Sequence, residues 1–278
     1  ISHTLDLAFG YWCTAKVALR ISDRALVKEF EPLAAQWVNA FDAASGLLRD
    51  STFYEGSKHN YSFRLLHDMA GRIDLAGGDD AFVQLLDDFF GYGADPVTQP
   101  GIDPGPDELA AGYALGRFEG LNNEPDMEAP WTYHYAGRPD RTAEVVHAIV
   151  QQQFGTGRGG LPGNDDSGGL SSWYVWASLG IFPIAGQNRF LVNAPSFAES
   201  EIRVGGEETF FVRTRGFREP EHDGPAQYVQ SATLNGAPLD RTWLRGDELH
   251  RGGELVLELG DAPSAWGTAR RPPSTPVR

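Results

Sequence analysis

The stretch Gly160–Gly180, GLPGNDDSGGLSSWYVWASLG, divides the chain. Before it the apolar residues recur at helical spacing; after it they alternate with polar ones. The stretch holds two adjacent acids, Asp165 and Asp166, in a glycine-rich loop that leads directly into an aromatic, apolar segment. Glycines allow sharp bends and close approaches, so such a loop can seat tightly beside a packed helix. One reading is a turn with a helix cap, Ser171 or Ser172 capping a helix that starts at Trp173. A cap accounts for one polar residue and leaves the paired acids unexplained, so a functional loop is the competing reading.

Toward the N-terminus, Leu5, Ala8, Phe9, Trp12, Ala15 and Leu19 share one stripe, and Leu26, Phe30, Leu33, Trp37 and Phe41 share another. Tyr61 to Arg72, Asp79 to Phe90, Asp107 to Phe118, Arg141 to Phe154 and Trp173 to Leu179 also suit helices, joined by connections rich in glycine, proline and acids. Helices without intervening strands indicate an all-helical region of bundle, solenoid or barrel type over residues 1–185. No repeat of fixed period supports a solenoid.

Toward the C-terminus, SEIRVGG, ETFFVRTRGF, QYVQSATLNGAPL and GGELVLELG alternate apolar with polar residues, and Asn235-Gly236 is a hairpin-turn signal. The fold class is therefore mainly α with a β appendage, the latter a small antiparallel domain over residues 186–267. The proline-rich, basic end, residues 268–278, is expected to be a frayed, disordered tail.

Composition narrows the partners. Lysine plus arginine number 23 against 38 acids, a net charge of -15, which disfavours nucleic acid and anionic membrane surfaces and leaves neutral ligands or cations. Seven tryptophans suit a core and sugar faces equally. The single cysteine, Cys13, excludes an internal disulfide framework and lies in an apolar helical pattern, as a packing residue. No apolar run reaches the roughly 18 residues that span a bilayer, and no secretory leader is present. The chain is expected to be soluble, and its opening inside an amphipathic pattern suggests a piece of something longer.

Three acid-bearing segments fall between helices: STFYEGSKHNYSF, GRFEGLNNEPDMEAPWTYHY and the Asp165–Asp166 loop. Each sets a carboxylate beside glycine and amide residues, with aromatics following. That combination suits a polar neutral ligand such as a sugar. Glu55 and Asp166 could form the pair of carboxyls that cleaves a glycosidic bond, or could be solvated acids. Asn122, Asn123, Glu124, Asp126 and Glu128 are hard oxygen donors of the kind calcium takes. They lack EF-hand spacing, and a hydrogen-bonded acidic turn around Pro125 is the alternative. His67-Asp68 is either a pair near a pocket or a structurally satisfied histidine. Transition-metal, nucleotide and serine-hydrolase motifs are absent.

Taken together, YEGSKHNYSFRLLHD, NNEPDMEAPWTYHYAGRPDRT, GLPGNDDSGGLSSWYVWASLGIFPIAG and YVQSATLNGAPL resemble glycoside hydrolase family 92, the calcium-dependent exo-acting α-mannosidases. The resemblance runs from Leu5 to about Trp266 and is most specific in the P-G-N-D-D-x-G run with S-S-W-Y-V. It implies an (α/α)6 barrel, partial in this chain, and an inverting mechanism in which Ca2+ holds mannose hydroxyls. It matches Glu55 to the general acid and Asp166 to the general base, with Asn164 and Asp165 in support. Asn123, Glu124 and Asp126 fall on the N-E-P motif that lines the sugar and calcium site. The implied substrate contacts are Asp165, Asn123, Glu124, His67 and Tyr61, and the implied metal ligands are Glu124, Asp126 and Asn123.

The resemblance further implies a mannose-containing oligosaccharide or glycan as substrate and a secreted or periplasmic location in a bacterium. Two positions depart from the pattern: E-G-N stands here as Glu55-Gly56-Ser57, and Asn122 replaces the glycine before N-E-P. The family's N-terminal β-sandwich and first barrel helices are missing, and they are the expected partner. The competing expectations are a non-catalytic carbohydrate-binding or structural fragment and a different helical-barrel enzyme, such as another glycosidase or a polysaccharide lyase.

Overall fold

The structure is a computed structural model that describes residues 1–53, 56–91, 121, 123–221 and 224–275. Two helices open the chain. Helix α1 (Ser2–Arg20) buries Leu5, Ala8, Trp12 and Ala15 as the stripe requires, then Ala18 in place of Leu19, which stays 59% exposed. The 3.6-residue advance falls between those two positions, and the smaller side chain turns inward. Helix α2 (Arg24–Ala34) starts where the Asp23 carboxylate accepts the Ala25 and Leu26 N–H groups, each at 3.1 Å, and its Phe30 ring stacks on Tyr11 of α1 at 5.7 Å. Pro32 removes a donor from its last turn. The second apolar stripe therefore continues as a tighter 3-10 turn, Ala35–Ala40, and ends with Phe41 opening the two-residue strand β1 (Phe41–Asp42), which pairs with β2 (Leu47–Leu48).

The helix expected over Tyr61 to Arg72 is two short ones, α3 (Lys58–Ser62) and α4 (Met69–Leu75). Asp68 breaks the run by capping α4, its carboxylate accepting from the Gly71 N–H at 3.0 Å. The Arg72 guanidinium, fully buried, donates to the carbonyls of Gly46 (2.7 Å) and Ser62 (3.3 Å) and lies over the rings of Phe41 and Phe82. Without a carboxylate partner, burial alone lowers its pKa to about 9.

Helix α5 (Asp79–Phe90) has the expected bounds, started after Gly78 and stopped by left-handed Gly91. Then come α6 (Ala129–Thr132), α7 (Pro139–Gln152), which begins early because proline suits a first helical turn, and α8 (Gly169–Ser178). The helix expected over Asp107 to Phe118 lies outside the described residues. One core unites these elements, with Trp37, Phe63, Phe82, Phe89, Trp131 and Trp173 among its enclosed rings.

The β part starts at Ile181, ahead of the expected boundary after residue 185. Strand β3 (Ile181–Pro183) straddles the two cores: Ile181 packs among the strands, and Phe182 stacks on Trp131 at 4.5 Å in the helical core. Alternation along a strand sends neighbours to opposite faces. Strand β4 (Arg189–Val192) lies between β3 and the later β9 (Trp243–Arg245). A second sheet contains β5 (Glu199–Gly205), β6 (Glu208–Arg215), β7 (Tyr228–Leu234), β8 (Ala237–Pro238) and β10 (Gly253–Gly260), in the order β5-β6-β10-β7-β8. Asn235 (φ 50°) and Gly236 (φ 78°) turn β7 into β8, as the sequence signal requires.

The β part is not wholly antiparallel, since β10 pairs parallel with β6. The long connection between them, carrying three strands and helix α9 (Gly246–His250), supplies the return that parallel pairing needs. The C-terminal segment also differs from expectation. Through residue 275 it is docked on the helices: Arg271 donates bidentately to Asp79 at 2.6 and 2.8 Å, the Thr275 N–H reaches the His67 carbonyl at 2.9 Å, and Ser274 Oγ accepts from Ala70 N at 2.9 Å. Specific partners tie down what composition alone reads as loose.

Candidate active site

The three acid-bearing segments come together, and each junction is a named contact. In the first, Ser57 caps α3: its Oγ accepts from the His59 N–H at 3.2 Å, while Asn60 Oδ1 accepts both Ser57 N–H and Ser57 O–H at 2.8 Å. That arrangement fixes the Asn60 amide, because the atom facing two donors must be the oxygen. Its nitrogen then points away from α3 and donates to Asp126 Oδ1 at 3.0 Å. Asn60 and Asp126 are both 1% exposed.

The second segment forms a 3-10 turn, Glu124–Asp126, with Pro125 in its first positions and Asn123 as cap; the Asn123 side chain accepts from the Glu124 N–H at 3.0 Å. Glu124 is exposed. Just beyond the turn, Glu128 accepts from the Leu65 N–H at 2.9 Å, with Arg64 at 4.0 Å. Burial pushes the Glu128 carboxyl up, opposed by Arg64 and by the Leu65 N–H.

The third segment is seated on the second. Trp173 Nε1 donates to the Met127 carbonyl at 2.8 Å. A Cβ on Gly169 would lie 2.7 Å from Met127 Cε and 3.7 Å from Glu124 Oε1, so α8 packs on the acidic turn at this glycine, and a larger residue would have to push the end of the Met127 side chain aside. The two acids of the loop then separate. The Asp165 carboxylate accepts from Ser171 N (2.8 Å) and Ser171 Oγ (2.7 Å), bonds that hold it below the usual carboxylate range. Asp165 therefore anchors the start of α8, which begins at Gly169 and not at Trp173; Ser171 serves the cap as donor, not as acceptor. Asp166 and Asn164 are exposed, and among the described residues no side chain or backbone group bonds to the Asp166 carboxylate. Ser167 and Gly168, at φ 58° and 81°, turn the chain from these residues into the helix.

The remaining expected residues lie elsewhere or outside the described set. Glu55 lies outside it, so no distance from Glu55 to Asp166 enters the account. Tyr61 is half-buried with its ring on Phe53 at 5.4 Å. His67 is 2% exposed and stacked on Trp12 of α1 at 5.6 Å; burial lowers its pKa to about 4. Asp68 bonds to α4 and to Ser274 Oγ at 3.2 Å, not to the His67 ring.

Among the described residues no three acidic, histidine or cysteine side chains gather as a metal cluster. Glu124, Asp126 and Asn123 are oxygen donors of the right kind for calcium. Asn123 accepts from the Glu124 N–H and Asp126 from Asn60, and three residues supply fewer than the roughly six to eight oxygens that calcium takes. Asn60, Met127 and Gly169 were not among the expected site residues. A serine three positions before an asparagine, the capping-box spacing, was the available signal for Asn60.

Similarity to known proteins agrees with this geometry. Residues 1–261 match the glycosyl hydrolase family 92 catalytic domain. An uncharacterised secreted glycosidase of the fungus Arthroderma benhamiae is 33% identical over 248 residues, covering 88% of this chain and 28% of that protein. A family 92 inverting mannosidase from Bacteroides thetaiotaomicron superposes with a TM-score of 0.79 at 24% identity, over 98% of this chain and 39% of its own. An α-mannosidase of the same family and organism, solved with mannoimidazole, gives 0.81 at 21%, over 98% and 38%. At such identities the structural likeness is one of fold, and this chain spans well under half the length of each relative. The interlocked motifs, the family match along nearly the whole chain and the fungal relative converge on one assignment: the chain belongs to glycosyl hydrolase family 92, within the catalytic domain.

Proposed function

We propose that the polypeptide carrying this chain is an inverting, exo-acting α-mannosidase that releases mannose from α-mannosides or glycans. The observation that carries the proposal is the interlock of the three acidic segments, with Asp166 exposed and without a partner among the described residues, on the loop leading into the helix that packs on the acidic turn. A general base must reach water and must not be tied up in an ion pair. Asp166 meets both conditions, whereas its neighbour Asp165 is committed to α8 and serves to hold the loop. In this reading Glu55 protonates the leaving oxygen, Asp166 draws a proton from the attacking water, and Asn164 helps orient that water. Glu124, Asn123 and Tyr61 offer hydrogen bonds and a ring face to the sugar. His67, stacked on Trp12, is a packing residue of the helical part.

Calcium belongs to the proposal, with Asn123, Glu124 and Asp126 as the residues that would hold it; when bound, it would polarise sugar hydroxyls. The barrel is proposed to be of (α/α)6 type, completed by the N-terminal helices and β-sandwich that the family resemblance implies. The secreted fungal relative supports an extracellular location, and its source gives no support to a bacterial origin. No described helix is long and apolar enough to cross a membrane.

The test is hydrolysis of a nitrophenyl α-mannoside and of mannobioses by the whole natural polypeptide. Glu55→Gln and Asp166→Asn should each lower kcat by about 100- to 10,000-fold with the fold intact, and turnover near wild type in either variant would remove the assigned role. Chelation followed by calcium restoration should abolish and then recover activity; undiminished hydrolysis in chelator would remove calcium from the account. The short span of this chain favours a second reading for the isolated piece, that it binds mannosides without cleaving them. Comparing mannose binding with product release, for the piece and for the whole polypeptide, separates the two.

A further inference from the structure

We propose that Asn60 is a positioning residue that registers the segment following Glu55 onto the acidic turn. The inference rests on the mannosidase reading above and adds to it a residue that touches neither substrate nor the reacting atoms. Glu55 is joined by a single peptide to Gly56, and the next residue, Ser57, is held through both its N–H and its O–H by Asn60 Oδ1 at 2.8 Å. The same amide donates from its nitrogen to Asp126 Oδ1 at 3.0 Å. One buried side chain thus joins two loops separated by 66 positions in sequence. The acidic turn is in turn locked to α8 by Trp173 and Gly169. The register of the Glu55 segment against the Asp166 loop therefore passes through Asn60 and Asp126.

A helix cap alone would account for half of this. An acceptor at position 60 suffices for Ser57, and aspartate would supply it as well as asparagine does. The bond to Asp126 needs a donor, which only the amide provides. Asn60→Asp therefore keeps the cap and sets a carboxylate against the Asp126 carboxylate, cutting the link without removing α3. The paired exchange Asn60→Asp with Asp126→Asn restores the bond with donor and acceptor reversed.

The experiment measures kcat and KM at neutral pH for the wild type, Asn60→Asp, Asp126→Asn and the double exchange, in the whole natural polypeptide on a nitrophenyl α-mannoside. A misplacement of about 1 Å costs up to about 100-fold in rate, so Asn60→Asp should lower kcat on the order of 10- to 100-fold with KM little changed. The double exchange should recover most of that loss. An Asn60→Asp variant with wild-type kcat overturns the proposal, as does a folded double exchange no more active than Asn60→Asp; Asp126→Asn alone keeps an acceptor oxygen for the Asn60 amide and should lose little. If Asn60→Asp does not fold, a double exchange that regains both fold and turnover supports the proposal.

Should the wild type release no mannose, the mannosidase reading fails and hydrogen exchange decides the Asn60 link separately. Asn60→Asp should then speed exchange across residues 123–127 while the Ser57 N–H stays protected, and the double exchange should slow it again. Unchanged exchange at 123–127 overturns the link whatever the activity.

Discussion

The two acidic regions of the site are built in opposite ways. Around Pro125 the acid is enclosed: Asp126 is 1% exposed and bonded to an equally buried amide, in a turn that α8 grips through Trp173 and the Met127 carbonyl. In the Asp165–Asp166 loop the acids lie at the surface, one taken up by Ser171 and the other without a partner among the described residues. Buried carboxylates are tolerated only with hydrogen-bond partners, and their removal costs structure. An exposed carboxylate without a partner costs the fold little to keep or to lose, and it is free to do chemistry. In the proposed mechanism the contrast separates a strut from a reagent.

The strongest way to break that contrast is Asp166→Asn. It should cost about 100- to 10,000-fold in turnover while leaving the thermal midpoint where it was. A fall in midpoint of several degrees would make Asp166 a structural residue too.

Acid should act on the helical part through its buried histidines, His67 stacked on Trp12 and His134 stacked on Trp131. Burial holds His67 at about 4 and His134 at about 3, below the roughly 6.5 of an unfolded chain. The unfolded state therefore binds more protons between these values. The stability each contributes is complete above pH 6.5 and is lost as pH falls toward its folded value, at about 1.4 kcal/mol per pH unit. Denaturant titrations from pH 7 to pH 4 should show this slope, and His134→Phe should flatten it; a stability independent of pH over that range would contradict the burial argument.

Asp126→Ala leaves the Asn60 amide donor buried and unpaired, and should lower stability by about 1–3 kcal/mol in denaturant unfolding. Trp173→Phe removes one hydrogen bond to Met127 and keeps the ring, so about 1 kcal/mol is expected. Asp165→Ala should lower the thermal midpoint less than Asp126→Ala does, since its bonds lie at the surface. A larger fall for Asp165→Ala would reverse the assignment of strut and loop.

Local pattern made most of the fold legible. The helix Asp79–Phe90 and the strands β5, β6, β7 and β10 appear where periodicity and turn residues put them, because each buries one face against one core. The departures came from side chains with distant partners. Arg72 reaches back to Gly46 and Ser62, Arg271 and Ser274 hold down a segment that composition reads as frayed, and a long return turns β10 parallel to β6. No window of local sequence contains those contacts.

The site was legible in part. The motifs named the acidic segments and the Asp166 loop, and the double acid at Asp165 and Asp166 resolves into a cap beside a free carboxylate. Asn60 was hidden because an asparagine in a polar helical turn reads as surface until the turn is seen buried against Asp126.

The account rests on hydrolysis in which Asp166 delivers water to the face opposite the leaving group. The most direct measurement is proton NMR of the sugar as it is first released from an α-mannoside by the whole polypeptide, run beside the Asp166→Asn variant. The account requires β-mannose to appear first and to vanish in the variant; α-mannose appearing first, or release undiminished by Asp166→Asn, would contradict it.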